Sequence, residues 1–205
     1  METLLLPANH PEALGRALHL FREGGLVAFP TDTVYGLGVS LQNLTGISRL
    51  YQVKGRETSK AIPVLVSSPA DLELVGQGVG EMAKRLSERF WPGPLTLVVP
   101  KHPNLPEILS PEPTIGVRMP DHPVALALLR QAGPLAVTSA NLSGGDSAVT
   151  AQEVLVQLGG LIPLILDGGR TPGGSPSTVV DCCGPVLSIL RPGPVSLEDM
   201  MRVLA

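Results

Sequence analysis

Leu26-Val27-Ala28-Phe29-Pro30-Thr31-Asp32-Thr33-Val34-Tyr35-Gly36-Leu37-Gly38 joins four apolar residues to a run of small hydroxyls and glycines. The first four read as a short buried strand ending at Pro30, whose missing N–H cannot continue a ladder. Upstream, Ala13, Leu14, Ala17, Leu18 and Phe21 share one stripe of a helix over residues 11–23, and Gly24-Gly25 stops it. A helix leading into a strand with a polar carboxyl end is the unit of an open α/β sheet. Such strand ends are where these sheets bind ligands. An ordinary strand-to-helix turn, capped by Asp32 or a threonine, accounts for the same residues without a ligand.

Outward from this unit the alternation continues. Helices are expected over residues 44–53, with Ile47, Leu50 and Tyr51 inward and Gly55 as terminator, and over 81–90, 123–131 and 151–158. Strands are expected over 62–66, 95–99, 114–118, 135–138 and 162–166, with 178–181 and 186–190 forming a hairpin. Ser196 opens a last helix, with Asp199 three residues on in a capping-box arrangement. No long linker, charge run or repeat intervenes, so the expectation is one domain over 1–205 built on a mixed sheet.

Composition narrows the function classes. Hydrophobic residues are 43% of the 205 but aromatics only 3%, so the core is aliphatic. Net charge is −3 with a pI near 5.8, which argues against a protein that coats nucleic acid through a broad basic face. Cys182 and Cys183 are adjacent, no Cys/His ligand spacing exists, and the four histidines are scattered, so no metal site is readable. No apolar run approaches the ~18 residues of a membrane span and no charged leader precedes the first leucines; a reduced cytoplasmic location is the expectation.

Against this nearly neutral background the cations stand out. Lys54-Gly55-Arg56-Glu57-Thr58-Ser59-Lys60 places three in seven residues, a set suited to an oxyanion, although a helix end with solvated neighbours gives the same pattern. In Thr114-Ile115-Gly116-Val117-Arg118, strand alternation puts Thr114, Gly116 and Arg118 on one face and the apolar pair on the other. Leu135 to Thr138 runs straight into Ser139-Ala140-Asn141-Leu142-Ser143, again polar at a strand's carboxyl end, with Ser139 and Asn141 pointing the same way if the chain stays extended. A glycine-rich loop at 168–178 can bring backbone N–H groups to an anion, and Arg191 stands at a strand end. The expectation is that Lys54, Arg56, Lys60, Arg118 and Arg191 gather around the phosphates of a nucleotide. There is no P-loop, dinucleotide fingerprint, nucleophile elbow or paired carboxylate set. Chemistry here works by positioning and charge stabilisation.

In this order the segments PTDTVYGLG, KGR, GVRMPDHP, TSANLSG, STVVD and ILRPG resemble the YrdC/Sua5 family of threonylcarbamoyl-AMP synthases, from about residue 12 to 194. The chain looks like the short form, without the extra C-terminal domain. The resemblance implies a twisted open mixed sheet flanked by helices, with a large basic cavity. It implies conversion of L-threonine, bicarbonate and ATP to threonylcarbamoyl-AMP and pyrophosphate. The product passes to the tRNA threonylcarbamoyl transferase machinery for the t6A modification, and weak direct RNA binding fits the same role. Carried over by motif, Lys54 and Arg56 are catalytic and join Ser139 and Asn141 around the nucleotide. Lys60, Thr114, Thr150 and Arg191 also face ATP. Thr33, Arg118, Ser139 and Ser177 hold the threonine moiety. Mg²⁺ arrives with the phosphates and takes no protein ligands. Two positions depart from the family pattern: Glu57 stands where Pro is usual, and Leu65 where many members have His.

Two rivals share this fold. An RNA-binding module without catalysis needs a basic, aromatic-bearing face that the composition does not supply. A carbamoyl-transfer domain of the hydrogenase-maturation type comes with acylphosphatase and zinc-finger segments that this sequence lacks.

Overall fold

The computed structural model describes residues 2–205. Its strands are β1 (Leu4–Pro7), β2 (Val27–Phe29), β3 (Gly36–Ser40), β4 (Val64–Leu65), β5 (Leu95–Pro100), β6 (Thr114–Arg118), β7 (Leu135–Ser139), β8 (Leu164–Asp167), β9 (Thr178–Asp181) and β10 (Ser188–Arg191). The helices are α1 (Ala13–Arg22), α2 (Leu44–Lys54), α3 (Leu72–Val75), α4 (Glu81–Phe90), α5 (Pro123–Ala132), α6 (Ala151–Leu158) and α7 (Leu197–Leu204). The strands form one ten-stranded mixed sheet in the order β1-β8-β2-β3-β7-β4-β6-β5-β9-β10. Among the described residues no helix is long and apolar enough to cross a membrane.

Local chemistry sets the helix ends. The Asn43 side chain accepts from the Gly46 N–H at 2.8 Å and starts α2, and Gly55 in the left-handed region (φ 58°) ends it. Thr150 caps α6 by accepting from Glu153 N, and Ser196 caps α7 by accepting from Asp199 N.

Two features of the fold differ from the sequence reading. The ordinary strand-to-helix turn that offered an alternative after Phe29 is not what forms; residues 30–35 connect β2 to an antiparallel neighbour, β3. The glycines that suggested a turn are strand residues under close packing. A Cβ on Gly36 would meet Val137 at 2.8 Å, and one on Gly38 would meet Phe29 at 2.8 Å. The second is β1, a strand that the sequence pattern does not predict. It is an edge strand, parallel to β8, where the missing N–H of Pro7 is tolerated.

Strand alternation divides the core in two. Ala28, Leu37, Ala136 and Ile165 face one side with Ile47, Leu50, Leu86, Val154 and Met200 from α2, α4, α6 and α7. Val27, Phe29, Leu135, Val137, Leu164 and Leu166 face the other, beneath Ala13, Ala17 and Phe21 of α1 and Ala125, Leu128 and Leu129 of α5. This second layer covers only part of its face. On β6 and β5, Ile115, Val117, Leu95 and Leu97 belong to the first cluster. Their opposite-face neighbours Gly116, Arg118, Thr96 and Val98 line a cavity instead.

Gly193 secures the end of this half. The chain folds back so that Thr178 Oγ1 donates to Val195 O and accepts from Val195 N, both at 2.9 Å. A Cβ at Gly193 would lie 2.4 Å from Thr178 N, a backbone atom that cannot rotate away. Gly193→Ala is expected to cost about 1–3 kcal/mol, read as a lower urea midpoint at unchanged slope.

Candidate active site

The cavity holds about 360 Å³ and is floored by β3, β4, β5, β6, β7 and β9. Three guanidiniums line it, those of Arg56, Arg118 and Arg191. The hydroxyls of Thr33, Ser139, Ser177, Thr31, Thr96 and Ser147 stand among them.

Arg118 is the most deeply placed. It ends β6 on the face opposite Val117, so its side chain must rise into the cavity. Nη1 donates to Asp32 Oδ1 at 2.9 Å and Nη2 to Thr31 Oγ1 at 3.3 Å, while Asp121 N also donates to Asp32 Oδ1 at 3.1 Å. The two side chains are only 7% and 10% exposed, making this a buried ion pair. Burial pulls the Arg118 pKa down and the Asp32 charge opposes that pull.

Arg191 belongs to an exposed strand but reaches back over β9. Its Nε and Nη2 donate to Ser177 O at 3.1 and 2.8 Å, and Nη2 to Ser177 Oγ at 3.1 Å. Ser177 Oγ also shares a 2.8 Å hydrogen bond with Thr96 Oγ1, so β5, β9 and β10 are stitched at one point. Arg56 follows Gly55, and its loop folds around it: Nε donates to Lys60 O at 3.1 Å and Nη2 to Ala61 O at 2.7 Å. Burial lowers the pKa of both arginines, and Arg118 adds to the effect at Arg191.

The structure gathers some of the residues expected from sequence and separates others. Thr33, Arg118, Ser139 and Ser177, the set assigned to the threonine moiety, share this cavity with Arg56 and Arg191. Lys54 is not among the lining residues. It is 2% exposed, and its ammonium donates to Ser139 O at 2.5 Å and to Asn141 O. Asn141 is also buried; its Nδ2 donates to Leu142 O and Gly145 O, each at 2.8 Å, and its Oδ1 has no partner among the described residues. The chain turns after Ser139, so Ser139 and Asn141 do not share an exposed face.

Lys60 is exposed, 3.7 Å from the Glu57 carboxylate, so the unusual Glu57 faces solvent beside it. Thr114 starts β6 opposite Pro100 and Thr150 caps α6; neither lines the cavity. Leu65 does, as an apolar wall.

Sequence reading missed Thr31 and Thr96 as site residues and gave Asp32 no partner. Thr96 carried a usable signal, a lone polar residue in the apolar strand LTLVV. The pairing of positions 32 and 118 carried none. Among the described residues no group of three or more His, Cys, Asp or Glu is placed to hold a metal ion. Cys182 is buried and Cys183 exposed, and burial raises both thiols, to about 12 and about 11.

Comparison with known proteins gives consistent matches. A family model described as telomere recombination (Sua5/YciO/YrdC) matches residues 19–193. The threonylcarbamoyl-AMP synthase of Bacillus subtilis is 42% identical over 202 residues, covering 97% of this chain and 58% of that protein. The threonylcarbamoyl-AMP synthase of Vibrio cholerae is 37% identical over 186 residues, covering 89% and 98% respectively. The crystal structure of Pyrococcus abyssi Sua5 complexed with L-threonine superposes with a TM-score of 0.94 at 38% identity, covering 100% of this chain and 61% of that one. The chain therefore spans little more than half the length of the Bacillus and Pyrococcus proteins.

Lys54 supplies a test of this geometry that needs no ligand. Burial, with the nearby Arg56 charge, pushes its ammonium from 10.5 down to about 8. Between those values the unfolded chain holds the proton that the folded chain releases, so stability rises with pH across that window. The slope is bounded by about 1.4 kcal/mol per pH unit. The raised thiols of Cys182 and Cys183 pull stability the other way above pH 9 in any variant that keeps them. The Lys54 contribution is therefore read as a difference: in urea titrations from pH 7.5 to 10.5 the stability of the unaltered protein minus that of Lys54→Met should rise with pH.

Proposed function

The chain belongs to the Sua5/YciO/YrdC family, and on that premise we propose that it is an L-threonylcarbamoyladenylate synthase, a nucleotidyltransferase that uses L-threonine, bicarbonate and ATP. The observation that carries the reading is the convergence of Arg56, Arg118 and Arg191 with the hydroxyls of Thr33, Ser139 and Ser177 on one cavity.

The chemistry needs such a site. The threonine amine attacks the carbon of bicarbonate, a C–N bond forms and water leaves, giving an N-carboxylate. A carboxylate oxygen then attacks the α-phosphorus of ATP. The Pα–O bond to the β-phosphate breaks, and pyrophosphate leaves with the electron pair. Two anions meet in this step, and unit charges ~4 Å apart interact by about 4 kcal/mol at the edge of a protein. Fixed guanidiniums offset that repulsion without reorganising during the reaction. Arg118 suits the carboxylate of threonine, because Asp32 and Thr31 fix its plane while further N–H bonds remain for a ligand. Arg56 and Arg191 suit the phosphates. Lys54 acts through the carbonyls of Ser139 and Asn141, setting the corner on which Ser139 is presented. Mg²⁺ enters as part of the nucleotide substrate, bound by phosphate oxygens. The product feeds the machinery that modifies tRNA.

Pyrophosphate release from ATP should require L-threonine and bicarbonate together; release indifferent to the amino acid would remove this reading. Arg56→Ala should lower kcat by about 10²–10³-fold, the scale of losing one preorganised charge-stabilising donor, while the protein remains folded by circular dichroism at the assay temperature.

A further inference from the structure

The hydroxyl of Thr33 has a fixed hydrogen-bonding sense, and that sense is set by Thr31, the residue that also helps hold Arg118. Thr31 Oγ1 has one hydrogen. It goes to Val34 O at 2.7 Å, because a carbonyl can only accept. Every other partner of Thr31 Oγ1 must therefore donate to it. Thr33 N–H does so at 3.2 Å and Arg118 Nη2 at 3.3 Å, two long bonds that share one lone pair. The 3.0 Å contact between the two threonine hydroxyls is then settled: Thr33 Oγ1–H donates to Thr31 Oγ1. With its hydrogen engaged, Thr33 meets the cavity through lone pairs alone.

We propose that Thr31 is a positioning residue that makes Thr33 an obligate acceptor, so that this site selects an amino acid whose side-chain hydroxyl donates. The inference rests on the reading that Thr33 faces the amino-acid substrate. Arg118 contributes twice, as cation and as the donor that holds Thr31 in its accepting orientation. Both residues are almost completely buried, Thr31 at 1% and Thr33 at 2% exposure, so water cannot restore the lost choice of partner. A site built to bond a substrate hydroxyl rejects the isostere lacking it far more strongly than an apolar pocket can.

The test is calorimetric binding of L-threonine and its isostere L-valine to the unaltered protein, Thr31→Val and Thr31→Ser. The unaltered protein should favour L-threonine. In Thr31→Val the Thr33 hydroxyl loses its acceptor and turns freely. Both ligands lose the support that Thr31 gives Arg118 beneath their shared carboxylate, but affinity for L-threonine should fall roughly tenfold further than that for L-valine, consistent with one additional hydrogen bond. Thr31→Ser, which keeps the relay, should restore the preference. An equal loss for both ligands, or an unchanged preference in Thr31→Val, overturns the proposal and leaves the synthase reading standing. A wild-type protein indifferent to the hydroxyl overturns both. Should Thr31→Val fail to fold, the unaltered protein still decides. L-2-amino-3-fluorobutyrate matches the hydroxyl in size but cannot donate, and it should bind at least tenfold more weakly than L-threonine. Equal binding shows that no donor is required and overturns the proposal.

Discussion

A guanidinium cannot shed its charge inside a protein, so burying Arg118 forces the fold to bring a carboxylate to it. Asp32 supplies that carboxylate from the β2–β3 connection, and Asp121 N fixes the same oxygen. Much of the site follows from this pair. Anchoring Asp32 brings Thr31 and Thr33 beside Arg118. The backbone around Asp32 also receives the glycine-rich loop: Gly173 N donates to Asp32 O at 3.0 Å and Gly174 N to Thr33 O at 2.9 Å. A Cβ on Gly173 would lie 2.6 Å from Asp32 O, so only glycine lets the loop close here. The loop then delivers Ser177 to Thr96 and Arg191.

The cavity exists because one face of a long sheet is only partly clothed. The first core cluster runs under nearly the full width, whereas the α1–α5 layer ends near β7 and β4. Beyond it, the residues that would have been core on β5, β6 and β9 are Thr96, Gly116, Arg118 and Val179, and they face a cavity. The sheet is held by its other face, so this one can carry charge without a loss of core. Gly116 keeps the floor low, since a Cβ there would come within 3.2 Å of Thr96.

The basic segment shows how nearness in sequence differs from nearness in space. Lys54, Arg56 and Lys60 are within seven positions, yet they go three ways. Lys54 lies in the last turn of α2 and points at the carbonyls of Ser139 and Asn141, at and just beyond the end of β7. Gly55 reverses the chain through the left-handed region, which sends Arg56 to the cavity, and Lys60 ends in solvent with Glu57. In the same way Thr114 and Thr150 carry hydroxyls of the right kind, but Thr114 stands at the far end of β6 on the same face as Gly116 and Arg118, outside the cavity lining, and Thr150 spends its hydroxyl on a helix cap.

The alternation of helices and strands was legible because hydrophobic period is a local property, and most elements lie within a few residues of their expected bounds. So was the face on which Gly116 and Arg118 stand, since strand alternation needs only the order of residues. The order of six short motifs was enough to identify the family. What the sequence left open was whatever depends on contacts between distant positions. The role of Gly36 and Gly38 as strand residues was decided by Phe29 and Val137 packing against them, and β1 by an edge place beside β8. Asp32 became the partner of Arg118, and Thr31 the acceptor for Thr33, only when β6 was laid beside the loop it must neutralise. Charge and hydroxyl chemistry are written residue by residue. Which of those groups face one another is set largely by burial, because an unpaired ion away from water costs a large share of the small net stability of a fold.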